Sequence, residues 1–199
     1  MTSLTKLIFA TNNQHKVEEI QSAIGKYFEV ISLEASNIQI DIPEPHDSLE
    51  ANASEKSKTI YGLTGQNCFS EDSGLEVDYL NGEPGVKSAR YAGENKAFDK
   101  NIEKLLAKLG NAQNRKAKFR TLISLIWNGE EYLFEGICEG RIGLEKRGSA
   151  GFGYDSIFIP DGSNQSFAEM QMDEKNDYSH RKKAAEKLVS FLNEHLNNP

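Results

Sequence analysis

The 199-residue sequence predicts an α/β fold with a mixed β-sheet, on three observations. Short apolar runs suited to strands alternate with segments whose apolar residues recur at helical spacing. Asn128-Gly129, the dipeptide of tight hairpins, joins two of the strands, so the sheet is not wholly parallel. The composition is globular, 38% apolar and 27% charged, and a chain of this length buries a sizeable core. No repeat, low-complexity tract or Pro/Ser-rich linker divides it, which gives a single domain over 1–199.

The elements follow in order. Lys6-Leu-Ile-Phe-Ala-Thr11 is a short apolar strand, and Val17, Ile20, Ala23 and Ile24 mark a helix that Gly25 stops. Phe28–Leu33 and Ile38–Ile42 read as strands, the second broken by Pro43 and Pro45. Leu49, Ala53, Lys56 and Ile60 share one face of a helix that Asp47 or Ser48 caps and Gly62–Gly65 ends. A strand over Asn67–Ser70 leads into Glu71-Asp72-Ser73-Gly74, where Gly74 permits a turn, and Asn81–Gly85 is a turn-rich loop. Lys100–Leu109 is helical, with Ile102, Leu105, Leu106 and Leu109 as its stripe. Lys118–Trp127 and Glu131–Cys138 form the hairpin. A short strand follows Gly151–Asp155, and a last helix starts near Ser179.

Composition also excludes. A net charge of −7 and a pI near 5.2 argue against coating a nucleic acid polymer, though not against holding one phosphorylated small molecule. No stretch approaches the roughly 20 apolar residues that span a bilayer, and the mean hydropathy is −0.58. The start, Met1-Thr-Ser-Leu-Thr-Lys6, has no signal-peptide pattern. Cys68 and Cys138 have no metal-ligand spacing, so the expectation is a cytoplasmic protein without structural zinc or membrane contact.

Four segments hold candidate chemistry. Thr11-Asn12-Asn13-Gln14-His15-Lys16 lies between a strand and a helix, where unpaired N–H groups and the helix dipole favour an anion. It reads as a triphosphate clamp or as an ordinary polar N-terminus. Of the adjacent carboxylates Glu71 and Asp72, at most one can face the core, and the other is an oxygen ligand of the kind Mg²⁺ prefers. Glu44, between two prolines, is a second candidate ligand. Gly151-Phe152-Gly153-Tyr154-Asp155 offers aromatic faces to stack on a base and a carboxylate for its N–H groups, or else core aromatics in a Gly-rich hairpin. Ser179-His180-Arg181 is a capped helix start or a pair of donors for a carbonyl or phosphate.

Taken together, these segments resemble the inosine triphosphatase family, the non-canonical purine nucleoside triphosphate pyrophosphatases. TNNQHK, SEDSGLEVDYLNGEPGVKSARYAG, GFGYDSIF and SHRKKA occur in that order along nearly the whole chain. The resemblance implies an elongated mixed α/β fold in two lobes with a nucleotide cleft between them, in a homodimer. It implies Mg²⁺-dependent hydrolysis of ITP, dITP and XTP to monophosphate and pyrophosphate, which keeps deaminated purines out of DNA and RNA. On this resemblance Thr11, Asn12, Asn13, Gln14, His15 and Lys16 bind substrate, Lys16 on the phosphates. Glu44 and Asp72 hold Mg²⁺, and Asp72 is also the catalytic proton acceptor. Ser73 touches substrate, Phe152, Gly153, Tyr154 and Asp155 form the base pocket, and Lys175, His180 and Arg181 complete the site, the last two reaching the purine. Lys56 matches a further lysine of the family. The chain departs from the family pattern at Asn12, where Gly is common, at Glu71, where Asp is usual, and at Ser156, where Pro is usual. Competing expectations are a pyrophosphatase of the same broad fold acting on pyrimidine or modified nucleotides, and a non-catalytic nucleotide sensor.

Overall fold

The apolar run after Lys6 builds β1 (Thr5–Phe9), whose last three residues are buried, as an interior strand requires. The structure, a computed structural model, describes residues 5–24, 28–95 and 97–197. β1 pairs in parallel with β2 (Phe28–Ser32) on one side and β3 (Cys68–Val77) on the other. β4 (Pro84–Gly85) returns antiparallel against β3. β5 (Lys116–Trp127) and β6 (Glu130–Ile142) meet at Asn128-Gly129, whose φ values of 53° and 90° give the turn that matches strand twist. β7 (Phe158–Pro160) pairs antiparallel with β6. The sheet order is β2-β1-β3-β5-β6-β7, with β4 attached to β3 off this path. This is the mixed sheet flanked by helices that the sequence predicts.

Five α-helices are described. α1 (Gln14–Ile24) buries Ile20 and Ile24, and the Gly25 stop expected for it lies outside the described residues. α2 (Leu49–Thr64) starts at Ser48, whose hydroxyl accepts the Ala51 N–H, and ends at Gly65 in the left-handed region. α3 (Phe98–Leu109) buries Ile102, Leu105 and Leu109 of the expected stripe, with Leu106 partly buried. α4 (Met172–Tyr178) and α5 (His180–Asn197) flank Ser179. No helix among the described residues is long and apolar enough to cross a membrane.

The chain divides into two compact units, through both of which β3, β5 and β6 run. The first takes in Met1–Asp72, Thr121–Gly136 and Arg181–Pro199, the second Ser73–Arg120 and Ile137–His180. In the first, Leu7, Phe9, Ile20, Phe69, Leu188 and Leu192 form one cluster and Ile8, Ile60, Cys68 and Ile126 another. The core of the second holds Leu75, Leu105, Phe119, Phe158 and Phe167. Each fully buried large side chain of this kind contributes about 1.5–3 kcal/mol.

Three expectations are corrected. Ile38–Ile42 is not a strand: it alternates half-buried isoleucines with exposed Gln39 and Asp41 but has no strand partner among the described residues. Gly74 makes no turn, because β3 continues to Val77. Its lack of a side chain serves the β4 return, where a Cβ would lie 2.6 Å from the Gly85 carbonyl oxygen. Glu71 and Asp72 are both buried, 1% and 7% exposed, whereas one was expected to leave the core.

Candidate active site

Strand alternation sends Glu71 and Asp72 to opposite faces of β3, and each meets its own cations. Asp72 is held at both oxygens by residues one turn apart on α2. Lys56 Nζ lies 3.3 Å from Oδ1, and Asn52 Nδ2 donates to Oδ2 at 3.3 Å. Lys56 also donates to Glu44 Oε1 at 2.9 Å, so one buried ammonium joins the two carboxylates expected to hold the metal. Burial lifts the Asp72 carboxyl above its ordinary range, against the pull of Lys56 and Lys16. Burial would lower the Lys56 pKa, but Asp72 and Glu44 keep it charged, above its usual value.

Glu71 has the opposite balance. Burial alone would raise its pKa, yet Arg181 and Lys16 hold the carboxyl far below the usual range. Lys16 Nζ is 2.7 Å from Oε1. Arg181 grips both oxygens, Nε to Oε2 at 2.6 Å and Nη2 to Oε1 at 3.1 Å, and its Nη1 pairs with Glu19. In this arrangement all three Arg181 guanidinium nitrogens engage buried carboxylates, and Lys16 pairs with Glu71.

The segment Thr11–Lys16 faces more than one way. Thr11 Oγ1 accepts the Asn13 N–H at 3.1 Å, and Asn13 Oδ1 accepts the Lys16 N–H at 3.3 Å, which caps α1. Asn12 Nδ2 donates to the Ile40 carbonyl at 2.8 Å. Thr11, Asn12 and Gln14 line a cavity of about 810 Å³ with Ser32, Glu34 and Asn37–Asp41, which does not include Lys16, Glu44 or Asp72. His15 is exposed, near Glu18.

In the second unit, Gly151–Asp155 folds around the Asp155 carboxylate. Its Oδ2 accepts the Phe152 N–H at 2.9 Å and lies 2.7 Å from Lys175 Nζ, in a pair with both residues buried. Gly151 has a φ of +74°, and a Cβ there would fall 2.1 Å from that same oxygen. Phe152 is half-buried, its ring centroid 6.1 Å from that of Phe98 and 5.8 Å from Lys175 Nζ. Gly153 has a φ of +61°. Tyr154 belongs to the core, with its hydroxyl donating to the Ser88 carbonyl at 2.9 Å. His180 is buried with its ring stacked on Phe119, centroids 4.7 Å apart. Ser73 is half-buried.

Sequence reasoning missed Asn52 and Glu19. A signal existed in each case: Asn52 precedes Lys56 by four residues and Glu19 follows Lys16 by three, spacings that share a helix face. No group of three or more His, Cys, Asp or Glu able to hold a metal ion occurs among the described residues. Mg²⁺ does not need one, since it is commonly bound through one or two carboxylates, substrate phosphates and water. Glu44 and Asp72, already sharing one positive centre, fit that requirement.

These features define a mixed α/β protein that buries two consecutive carboxylates on a central strand, one neutralised by arginine and lysine and the other clamped by lysine and amide. The chain belongs to the Ham1 family, whose profile matches residues 7–191. It is 48% identical to the dITP/XTP pyrophosphatase of Flavobacterium johnsoniae, over 94% of this chain and 97% of that one. It is 47% identical to the dITP/XTP pyrophosphatase of Porphyromonas gingivalis, over 95% and 98%. The Ham1 protein of Staphylococcus aureus superposes with a TM-score of 0.86 at 38% identity, covering 96% of this chain and all of that one.

Proposed function

We propose that this chain hydrolyses non-canonical purine nucleoside triphosphates, dITP, XTP and ITP, to the monophosphate and pyrophosphate, and so clears deaminated purines from the nucleotide pool. The observation that carries the reading is Asp72, a buried carboxylate gripped by Lys56 and Asn52 and raised in pKa beside a neighbour that is lowered. Carboxylates driven apart in this way divide the labour of a site: the raised one takes a proton, the lowered one stays a fixed charge.

Asp72 accepts the proton of the water that attacks the α-phosphorus. The new P–O bond forms as the bond to the bridging oxygen breaks, and pyrophosphate leaves. Glu44 and Asp72 would hold Mg²⁺, which when bound would neutralise charge on the phosphate oxygens. Thr11–Lys16 supplies phosphate donors, with Lys16 exchanging part of its hold on Glu71 for substrate, and Ser73 contacts the nucleotide. Lys56 and Lys175 add positive charge. Phe152 stacks on the base, beside Gly153 and Asp155. His180 donates to the six-carbonyl that hypoxanthine and xanthine carry and adenine lacks, a mismatch worth about 1–3 kcal/mol per unpaired buried donor. Arg181 fixes Glu71, and Tyr154 fixes the loop from the core.

We place the enzyme in the cytoplasm as a homodimer, a reading supported by the family resemblance and by where nucleotide pools lie. The test is a panel of dITP, ITP, XTP, GTP and ATP with Mg²⁺, including a sedimentation run. Fastest turnover on dITP and XTP supports the proposal. A preference for ATP or for pyrimidine triphosphates removes it.

A further inference from the structure

We infer that Asn52 is a positioning residue of the Asp72 centre, its side-chain amide tying the Glu44 loop to the Asp72 carboxylate so that the two carboxylates are set by one group. The inference rests on the activity proposed above. Asn52 is 1% exposed and makes three side-chain hydrogen bonds. Nδ2 donates to the His46 carbonyl at 3.2 Å and to Asp72 Oδ2 at 3.3 Å, while Oδ1 accepts the His46 N–H at 3.0 Å. Both amide protons are therefore used. The amide orientation is dictated, since a flip would face its oxygen to a carboxylate and its NH₂ to the His46 N–H.

The grip matters because of where His46 lies. It follows Glu44 by two residues in Pro43-Glu44-Pro45-His46, where two prolines stiffen the backbone. A fixed His46 thus restrains the Glu44 carboxylate as well. On α2, Asn52 takes one oxygen of Asp72 and Lys56 the other, which leaves the carboxylate little freedom to rotate. The helix itself is pinned to β3: Ser70 Oγ donates to the Ala53 carbonyl at 2.5 Å, and Cys68 Sγ to the Ser57 carbonyl at 3.3 Å. Asn52 donates to Asp72 and so is no metal ligand in this arrangement. It acts through the two groups it holds, as outer partners of metal-binding carboxylates do.

Two variants of the full chain separate positioning from packing. Asn52→Ala removes all three bonds. Asn52→Asp keeps the volume and the acceptor for the His46 N–H but loses the donors and sets a carboxylate against Asp72. Turnover of dITP with Mg²⁺ is measured for both, together with hydrogen exchange of the His46 amide in the nucleotide-free and metal-free protein. Both variants are expected to lose about 10–100-fold in kcat, the usual effect of removing such a partner, with KM changed far less. His46 exchange should accelerate in Asn52→Ala and stay near wild type in Asn52→Asp. Wild-type kcat in Asn52→Asp would overturn the inference, since packing and the His46 acceptor alone would then suffice. If Asn52→Ala does not fold, Asn52→Asp decides alone. A wild-type protein inert toward dITP, ITP and XTP would overturn the proposed activity and the role together, whereas unchanged kcat in an active background overturns the role only.

Discussion

Replacing Glu71 with Gln preserves the side chain's shape but takes from Arg181 the carboxylate that it grips at both oxygens, and removes the charge that holds Lys16. Arg181 is 3% exposed and cannot turn to water, so Glu71→Gln should cost about 3–5 kcal/mol, the range for breaking a buried pair. Asp72→Asn loses a carboxyl whose ionised form burial disfavours, so it should cost much less stability while lowering kcat by about 10²–10⁴. Urea unfolding and dITP turnover on both variants check this; a stable Glu71→Gln, or an active Asp72→Asn, contradicts it. The pH dependence follows from the same charges. The folded-state pKa of Glu71 is depressed, so its contribution is present above the unfolded value near 4.5 and is lost as pH falls below it. Wild-type stability should therefore decline below about pH 4.5 more steeply than that of Glu71→Gln. The expectation for Asp72 was legible in a family motif, that for Glu44 in its place between two prolines, and that for Lys56 in a match to a family lysine outside the four motifs. Asn52 and Glu19 were not, because a lone Asn or Glu on a helix looks like a solvated surface residue until its partner is known.

At the scale of elements, β3 shows what periodicity can and cannot reveal. Its apolar start was legible, but the run Glu71-Asp72-Ser73-Gly74 looks like a strand end, since nothing local announces that both carboxylates find buried cations. Ile38–Ile42 erred the other way. Alternation is set by which side chains meet the core, and a segment can alternate without a neighbouring strand to bond. α4 went unseen because Met172–Tyr178 has no apolar stripe and buries only Lys175. Gly74 offers the sharpest test of the β3–β4 pairing. A methyl there would meet the Gly85 carbonyl oxygen at 2.6 Å and its carbon at 2.9 Å, backbone atoms that cannot swing aside. Gly74→Ala should cost about 1–3 kcal/mol, as overpacking does. Thermal unfolding measures it, and an unchanged melting temperature would mean that β4 does not hold this register.

Over the whole molecule, the mixed sheet and the order of its main elements were readable because hydrophobic period and turn chemistry agree along most of the chain. The division into two units was expected from the family motifs alone; no linker signals it, because β3, β5 and β6 pass through both. The proposed site is less legible than the fold, since the residues assigned to it come from β3, α1, α2, α5 and several loops that only folding relates. In the proposed reaction, water loses a proton to Asp72 and attacks the α-phosphorus. The direct measurement is hydrolysis of dITP in heavy-oxygen water, with every product analysed by mass spectrometry. Label is expected in dIMP and not in pyrophosphate, with the same pattern at a strongly reduced rate in Asp72→Asn. Label in the pyrophosphate, or release of orthophosphate and dIDP, would contradict it.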